Sequence, residues 1–211
     1  HASSDLNNDG FLDLIGSDLT SGNVYFYRGL GNGSFATPTS LGVVSNAYIM
    51  VLTDLDKNGT TDIAVTTQSS SSVAIFYTNT SGNVVSTKSV SSGGAWDRGI
   101  DAADFNNDGY QDLVVTNVNN NVASVLYGPN FTTQTLLTTG IYPIGVVAAD
   151  LNNDGRTDFV TTNHNANSNS LSVFINTVTG FSRTDISLGG YPDDRITAKD
   201  FNGDGYLDLA V

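Results

Sequence analysis

The sequence contains no cysteine and no glutamate, and only eight basic side chains stand against 21 acidic ones. The lack of cysteine excludes disulfides and Cys-ligated zinc or iron–sulfur sites. A net charge of −13 leaves no basic patch for phosphates, so we expect no nucleic-acid partner. No run of 18 apolar residues occurs, so we expect no membrane insertion. Every acidic residue is therefore Asp, a short carboxylate suited to tight local geometry.

Fifteen of the 21 Asp residues lie in five nine-residue segments, called here the acidic loops. Each loop has Asp at position 1, Asn or Asp at positions 3 and 5, Gly at position 6 and Asp at position 9. Successive loops start 49, 50, 46 and 50 residues apart, and such a period is typical of solenoids, propellers and arrays. The five loops are "DLNNDGFLD" (5–13), "DLDKNGTTD" (54–62), "DFNNDGYQD" (104–112), "DLNNDGRTD" (150–158) and "DFNGDGYLD" (200–208).

The segments between the loops predict β-strands. Short runs rich in β-branched and aromatic residues, such as "QDLVVTN" and "SVAIFYTN", alternate with Gly, Asn and Ser, and no helical period is sustained. Four strands of about 5–6 residues with their turns fill one period. We therefore predict an all-β protein, a β-propeller of four-stranded antiparallel blades.

Each acidic loop is predicted to join the first strand of a blade to the second. The resulting blades are a partial blade 1 (1–45), blade 2 (46–94), blade 3 (95–140), blade 4 (141–190) and a partial blade 5 (191–211). On this assignment the first strand of blade 1 is missing, and the chain ends within the second strand of blade 5. A propeller must close to remove its edges, so we expect a segment of a longer protein, or completion of the partial blades by another chain.

The acidic loops carry the donor atoms that a hard divalent cation prefers. Two carboxylates about 4.5 Å apart repel by about 3.5 kcal/mol at an effective dielectric of about 20, so five such clusters need compensation. Side chains at odd positions of a tight loop turn towards one centre, Gly at position 6 permits the turn, and position 7 can supply a carbonyl. Oxygen donors in a flexible loop favour Ca²⁺ over Mg²⁺. The alternative is five Asx-rich turns without metal.

The acidic loops resemble the FG-GAP/VCBS repeat, the propeller blade of integrin α-subunits and of many secreted bacterial and fungal proteins. The segment "YRGLGNGSFATPTSLGV" (27–43) is similar to the later part of a VCBS-type blade. The resemblance covers essentially the whole chain and implies seven blades in the complete protein. "GNGSF" is clear in only one blade, so the outer strands depart from the family pattern.

The resemblance implies one Ca²⁺ per acidic loop, bound by the side chains at positions 1, 3, 5 and 9 and the backbone oxygen at position 7. Five ions would add ten positive charges and take the net charge from −13 to −3. The closing Asp at position 9 departs from an EF-hand loop, which closes with Glu at position 12. The implied ligands are Asp5, Asn7, Asp9, Phe11 and Asp13; Asp54, Asp56, Asn58, Thr60 and Asp62; Asp104, Asn106, Asp108, Tyr110 and Asp112; Asp150, Asn152, Asp154, Arg156 and Asp158; and Asp200, Asn202, Asp204, Tyr206 and Asp208.

Calcium sites of this class fill at extracellular concentrations, so we expect a secreted or cell-surface protein. With two histidines, no cysteine and most carboxylates in the loops, we expect no catalytic residues. The favoured function is a non-enzymatic adhesion, binding or assembly module. Its partner would be a protein or glycan at the cell surface, or copies of itself. The alternatives are lectin-like carbohydrate binding and a domain of a secreted polysaccharide-active enzyme.

Two features outside the loops leave alternatives open. Trp96, the only tryptophan, precedes a first strand at a place where other blades have Tyr48, Tyr142 or Tyr191. An aromatic residue there either packs between blades or stacks on a sugar. The run Asp193 to Arg195 is either a turn or an acid pair with a cation.

Overall fold

The computed structural model of the protein describes residues 1–68, 70–165 and 169–211. All regular elements in these residues are strands, which form four four-stranded antiparallel sheets and one two-stranded sheet. The all-β expectation is confirmed. None of the described segments forms a helix with the length and apolar character needed to cross a membrane.

The sheets are numbered 1 to 5 in chain order. Sheet 1 contains β1 (Ala2–Ser4), β2 (Asp13–Ser17), β3 (Asn23–Tyr27) and β4 (Thr39–Val43). Sheet 2 contains β5 (Ala47–Thr53), β6 (Asp62–Thr67), β7 (Ser72–Thr78) and β8 (Val84–Ser91). Sheet 3 contains β9 (Asp97–Ala103), β10 (Asp112–Asn117), β11 (Val122–Tyr127) and β12 (Thr133–Thr138). Sheet 4 contains β13 (Pro143–Ala149), β14 (Asp158–Asn163), β15 (Ser170–Thr177) and β16 (Gly180–Ser187). Sheet 5 contains β17 (Thr197–Lys199) and β18 (Asp208–Ala210).

The sheets are arranged as successive blades of a propeller. Each sheet is a meander in which neighbouring strands follow one another in sequence. The first strands of successive sheets contact one another, from β1 to β5, β9, β13 and β17. These strands therefore line the axis, and the fourth strands lie at the periphery. The expectation of a propeller segment of four to five blades is confirmed.

The expectation that blade 1 lacks its first strand is wrong. Ala2–Ser4 forms a short strand, and Ala2, Ser3 and Ser4 pair with Ile15, Leu14 and Asp13 of β2. Sequence patterns do not predict this strand because its three residues, two of them serine, show neither apolar alternation nor a β-branched run. Backbone pairing with β2 provides its order instead.

Apolar residues pack between successive sheets. Three clusters fill the spaces between sheets 1 and 2, sheets 2 and 3, and sheets 3 and 4. The second strands β6, β10 and β14 are buried at every residue because they are covered on both faces. Position 2 of an acidic loop joins each cluster: Leu6, Leu55 and Phe105 are at most 4% exposed. The first three loops are thus anchored in the core between two blades, whereas Phe201 of the fifth loop is exposed.

A buried threonine of the second strand ties neighbouring sheets together near the axis. The Thr116 hydroxyl accepts the Gly99 N–H at 2.8 Å and donates to the Ile144 carbonyl of sheet 4 at 3.2 Å. Thr66 and Thr162 make the equivalent contacts in sheets 2 and 4. The sheets approach closely here, since a Cβ on Gly99 would lie 2.8 Å from the Ile144 oxygen.

Candidate metal centre

The acidic loops lie between the first and second strands of their sheets, as predicted. Position 1 directly follows the first strand, and position 9 is the first residue of the second strand. The five loops therefore lie at one end of the propeller, called here the acidic end. The turns that lead from one sheet into the first strand of the next lie at the opposite end.

Side-chain oxygens at positions 1, 3 and 5 fold each loop around backbone N–H groups. In the third loop, Asp104 accepts the N–H groups of Asp108 at 3.2 Å and Gly109 at 2.7 Å. Asn106 Oδ1 accepts the same Asp108 N–H at 2.9 Å, and Asp108 accepts the Tyr110 N–H at 2.8 Å. The other four loops repeat these contacts. Each of these accepting oxygens in the third loop keeps a second lone pair for a cation.

The aspartate at position 9 connects the loop to its sheet. Asp112 accepts the Phe105 N–H of position 2 at 2.9 Å and the Gly128 N–H at the end of β11 at 2.8 Å. Asp13, Asp62 and Asp158 accept the corresponding pairs in sheets 1, 2 and 4. All four carboxylates are fully buried. In the fifth loop, the contacts described for Asp208 contain one such hydrogen bond, from the Phe201 N–H at 3.1 Å.

Two positions of each loop adopt a left-handed backbone, and only one of them was predicted. Gly at position 6 has φ between 81° and 89° in all five loops. Position 4 is also left-handed, with φ between 57° and 80°. Asn at three of these positions and Gly at a fourth are the sequence signal, because both residues tolerate this region. The position 4 residues are Asn8, Lys57, Asn107, Asn153 and Gly203.

The second loop brings three carboxylates together. One oxygen from each of Asp54, Asp56 and Asp62 lies within 4.8 Å of the others, and among the described residues this is the one acidic or histidine group so arranged. Oxygens about 2.3–2.6 Å from a shared Ca²⁺ lie at most about 5 Å apart, so the donor set fits this ion. In this loop the Asn stands at position 5, and the Asn58 amide donates to the Thr78 carbonyl rather than to the carboxylate of Asp56.

The other four loops arrange their third acidic group differently. The Asn amide at position 3 donates to the Asp at position 5, over 3.0–3.1 Å. This hydrogen bond from a neutral amide partly compensates the negative charge of the carboxylate. The five predicted ligand sets thus share one backbone frame, with a different arrangement of charge in the second loop.

Burial and mutual repulsion raise the pKa of three closing aspartates, Asp62, Asp112 and Asp158. Burial is the main cause that raises the pKa of Asp62 to about 6, and the charges of Asp56 and Asp54 also raise it. The hydrogen bonds from the Thr78 and Leu55 N–H groups act in the opposite direction. Burial likewise raises the pKa of Asp112 to about 6. A divalent cation would favour the ionised form and reverse this direction.

Three basic side chains lie among the loops. The guanidinium of Arg156, at position 7, pairs with Asp154 at position 5 of the same loop and donates to the Asn176 carbonyl at 2.8 Å. Arg28 lies 3.8 Å from Asp9. The Lys57 ammonium sits over the Tyr110 ring of the next loop at 3.8 Å from its centroid. The second loop, by contrast, has no Arg or Lys paired with its carboxylates among the described contacts.

The opposite end of the propeller differs from the expected alignment of aromatic residues. Trp96 and Tyr142 occupy equivalent places directly before β9 and β13, but the equivalent residue before β5 is Asn46, and Tyr48 lies within β5. The aromatic residues of "NAY" and "AWD" match in the sequence, but their positions relative to the start of the strand differ by two residues. The Trp96 ring contacts Tyr142 edge-on at 5.8 Å between centroids, so Trp96 does pack between blades.

Tyr48 instead belongs to a polar cluster at the axis that the sequence did not predict. Its hydroxyl donates to Asp194 at 2.5 Å and accepts from Arg98 at 2.5 Å. Arg98 and Asp194 also pair directly at 3.3 Å. Burial and the Asp194 contact raise the pKa of the Tyr48 hydroxyl, so it stays protonated. Asp194 thus contacts an arginine, as proposed, but the partner is Arg98 rather than Arg195.

Several solved structures share this fold. A lectin from Agrocybe aegerita, whose structure gives the basis of specific recognition of non-reducing terminal N-acetylglucosamine, is 19% identical with a TM-score of 0.65, over 99% of this chain and 59% of that one. BBS1N, in complex with ARL6DN, is 15% identical with a TM-score of 0.63, over 90% and 54%. A functionally unknown protein from Desulfotomaculum acetoxidans is 20% identical with a TM-score of 0.66, over 92% and 57%. The chain therefore spans between 54% and 59% of the length of these proteins.

Sequence comparisons agree with the period of the acidic loops. A search of curated proteins gave no significant match. The FG-GAP-like repeat family matches three times, at residues 5–65, 54–115 and 104–161. Each match runs from one acidic loop into the second strand of the next sheet, and together they cover most of the chain. This protein belongs to the FG-GAP-like repeat family.

Proposed function

We propose that the protein is a calcium-stabilised propeller that serves as a non-enzymatic binding or assembly module. The observation that carries the calcium assignment is the convergence of Asp54, Asp56 and Asp62 within 4.8 Å. The side chains at positions 1, 3, 5 and 9 would hold the ion, with the carbonyl of position 7. Bound Ca²⁺ would supply the positive charge that the clustered carboxylates lack.

The stabilisation depends on where the protein works. At 10 to 100 times its Kd, each ion adds about 1.4–2.7 kcal/mol to the free energy of unfolding. Concentrations of this kind occur outside the cell, so we propose a secreted or cell-surface location. Because the first three loops insert their position 2 side chains between two blades, an ion in each of these loops would hold that interface together.

The amino-acid composition supports a role in binding rather than in catalysis. Two histidines and no cysteine leave few candidates for nucleophilic or acid–base catalysis. The partner would be a protein or a glycan at the cell surface, or further copies of the chain. A domain of a polysaccharide-active enzyme is the alternative that a turnover assay separates.

A second candidate function is lectin-like carbohydrate binding. The observation that favours it is the fold shared with the Agrocybe aegerita lectin, which aligns with 99% of this chain. Identity of 19% transfers the fold but not the sugar or its site. A carbohydrate site in this chain must therefore rest on its own residues.

Size-exclusion chromatography with light scattering, in millimolar calcium and in excess EDTA, tests the proposed function. A compact monomer that expands in EDTA supports a calcium-stabilised binding module. Large species that form only with calcium support the assembly role. A particle whose size and melting temperature are both unchanged in EDTA contradicts calcium stabilisation, and turnover of any member of a polysaccharide panel contradicts the non-enzymatic role.

A further inference from the structure

The end of the propeller opposite the acidic loops has a repeated backbone frame. The residue directly before the first strand has φ of 57° at Asn46, 61° at Trp96 and 63° at Tyr142. Its carbonyl accepts the N–H of the residue that follows the second strand, over 2.9–3.1 Å in each sheet. We call this place the entry position. Its backbone is fixed by the repeat, whereas its side chain changes from blade to blade.

The aromatic residues at two entry positions cost stability. Asn adopts a left-handed backbone readily, but a bulky aromatic residue there is strained. The edge-on contact of Trp96 with Tyr142 and the partial burial of both rings offset part of this strain. Asn46 demonstrates that the same turn forms without an aromatic ring. The turn alone therefore does not explain the choice of Trp96 and Tyr142.

The rings continue into an exposed row. Ring centroids are 5.8 Å apart from Trp96 to Tyr142, 6.2 Å from Tyr142 to His164 and 5.2 Å from His164 to Tyr191. Tyr191 is 63% exposed, His164 is also exposed, and the other two rings are half-buried. His164 is oriented through Nδ1, which lies 2.9 Å from the Pro192 carbonyl. We call these four residues the aromatic row.

Polar groups accompany the aromatic row at the same end of the propeller. Arg98 lies two residues after Trp96, and Asp194 lies three residues after Tyr191. Arg98 Nε and Asp194 Oδ1 are among the few buried side-chain atoms in the described residues without a hydrogen-bond partner. A cavity of about 350 Å³ opens beside Asp194 and Tyr48. The end thus combines flat apolar rings with an unpaired donor and an unpaired acceptor.

We propose that the aromatic row binds a neutral oligosaccharide, with Arg98 and Asp194 as polar partners at its axial side. The C–H face of a pyranose ring stacks on an aromatic ring, and its hydroxyl groups donate to a carboxylate and accept from a guanidinium. A row of rings on an open surface suits successive sugar units, whereas a single enclosed ligand would need a deep pocket. The proposal rests on the carbohydrate-binding candidate function and does not depend on calcium.

Trp96 is the only tryptophan, so its fluorescence reports on the proposed site directly. A glycan array of neutral oligosaccharides identifies the best probe, and titration of that oligosaccharide is then followed by Trp96 emission and calorimetry.

Trp96→Asn and Tyr142→Asn reproduce the residue type of Asn46 and should fold. We expect each to lower affinity at least about tenfold, in line with the loss of one stacked ring, while the melting temperature stays equal or rises. Tyr191→Ala removes an exposed ring and should lower affinity several-fold with no effect on folding. Phe35→Asn, an exposed aromatic residue on the β3–β4 connection, is the control and should bind as the unmodified protein does.

The outcomes separate the site from the function. Oligosaccharide binding that survives Trp96→Asn, Tyr142→Asn and Tyr191→Ala overturns the proposed site and leaves carbohydrate binding in place. Loss of binding that follows a fall in melting temperature for the two Asn variants, with Tyr191→Ala unaffected, also overturns it, since the rings would then be structural. If no oligosaccharide binds on the array or shifts Trp96 emission, the site and the carbohydrate-binding candidate both fail.

Discussion

The two ends of the propeller are built on the same repeat but use it differently. At the acidic end, five loops carry nearly the same residues and the same hydrogen bonds. At the opposite end, three entry positions share one backbone conformation but carry Asn46, Trp96 and Tyr142. Uniform chemistry is expected where every blade has the same structural requirement. Variation on a fixed frame is expected where the side chains serve something outside the fold.

The largest expected effect comes from the acidic end, at the buried carboxylate of position 9. Asp112→Ala leaves the Phe105 and Gly128 N–H groups without their acceptor, at about 1–3 kcal/mol each. We expect a loss of about 4 kcal/mol in the free energy of unfolding, measured by urea denaturation in EDTA. Asp108→Ala removes an exposed carboxylate that accepts from the Tyr110 N–H and the Asn106 amide and should cost less than about 1 kcal/mol. Equal losses for the two variants would show that position 9 has no special structural role.

The opposite end contains a buried carboxylate with no ion to stabilise it. Burial raises the pKa of Asp97 to about 7, although hydrogen bonds from Ser92 and Asn117 oppose this. The stability that the neutral form provides is present at low pH and is lost as pH rises through about 7. At about 1.4 kcal/mol per pKa unit, the loss between about pH 5 and pH 8 is about 3 kcal/mol.

Asp97→Asn removes this titration and keeps an acceptor for Asn117, which donates at 2.5 Å. The variant should therefore melt higher than the unmodified protein at pH 8, with a smaller difference at pH 5. Asp185→Asn is the control of opposite sign, because the Arg183 hydrogen bond lowers the pKa of Asp185. A parallel pH dependence of the melting temperature in the Asp97→Asn and unmodified proteins would contradict the assignment.

The buried threonines near the axis join neighbouring blades. Thr116→Val keeps the side-chain shape but leaves the Gly99 N–H and the Ile144 carbonyl without a partner. We expect a loss of about 2 kcal/mol by urea denaturation. Thr135→Val, on the outer strand β12, should change stability by less than about 0.5 kcal/mol. A loss no larger at Thr116 than at Thr135 would mean that the contact between blades contributes nothing.

The smallest expected effect distinguishes the acidic loops from one another. Arg156 pairs with Asp154, a predicted ligand of the fourth loop, whereas the second loop has Thr60 at the same position. Arg156→Thr should strengthen calcium binding at the fourth loop about threefold, as expected for one partly exposed charge. Calorimetric calcium titration measures this change. Arg183→Thr removes an equal charge away from the loops, and the prediction fails if this variant has the same effect.

The sequence predicted the features that depend on local chemistry. Asp at positions 1 and 9 and Gly at position 6 placed every loop between its strands, because most contacts that shape a loop lie within its nine residues. The left-handed position 4 was missed although Asn107 and Gly203 signal it, since Lys57 at the same place breaks the pattern. Its detection requires the five loops to be aligned by turn geometry rather than by charge.

Contacts between blades were beyond prediction. Thr116 has the composition of an ordinary β-strand residue, and its second partner, Ile144, is 28 residues away. Tyr48, Arg98 and Asp194 meet only because two first strands and the segment before a third converge on the axis, across separations of 50 and 96 residues. The three-residue strand β1 was missed for a related reason, since its order comes from pairing with β2. Periodicity defines the blades but not the side chains that meet between them.

The central claim is that Ca²⁺ in the acidic loops stabilises the propeller, and thermal unfolding with and without the ion tests it most directly. The protein is melted in excess EDTA, in millimolar calcium and in millimolar magnesium. We predict a melting temperature more than about 5 °C higher in calcium than in EDTA, since one or two ions suffice for that shift in a chain of this size. Magnesium should restore only a small part of it. Identical melting curves in calcium and EDTA would contradict the account and leave the acidic loops as metal-free turns.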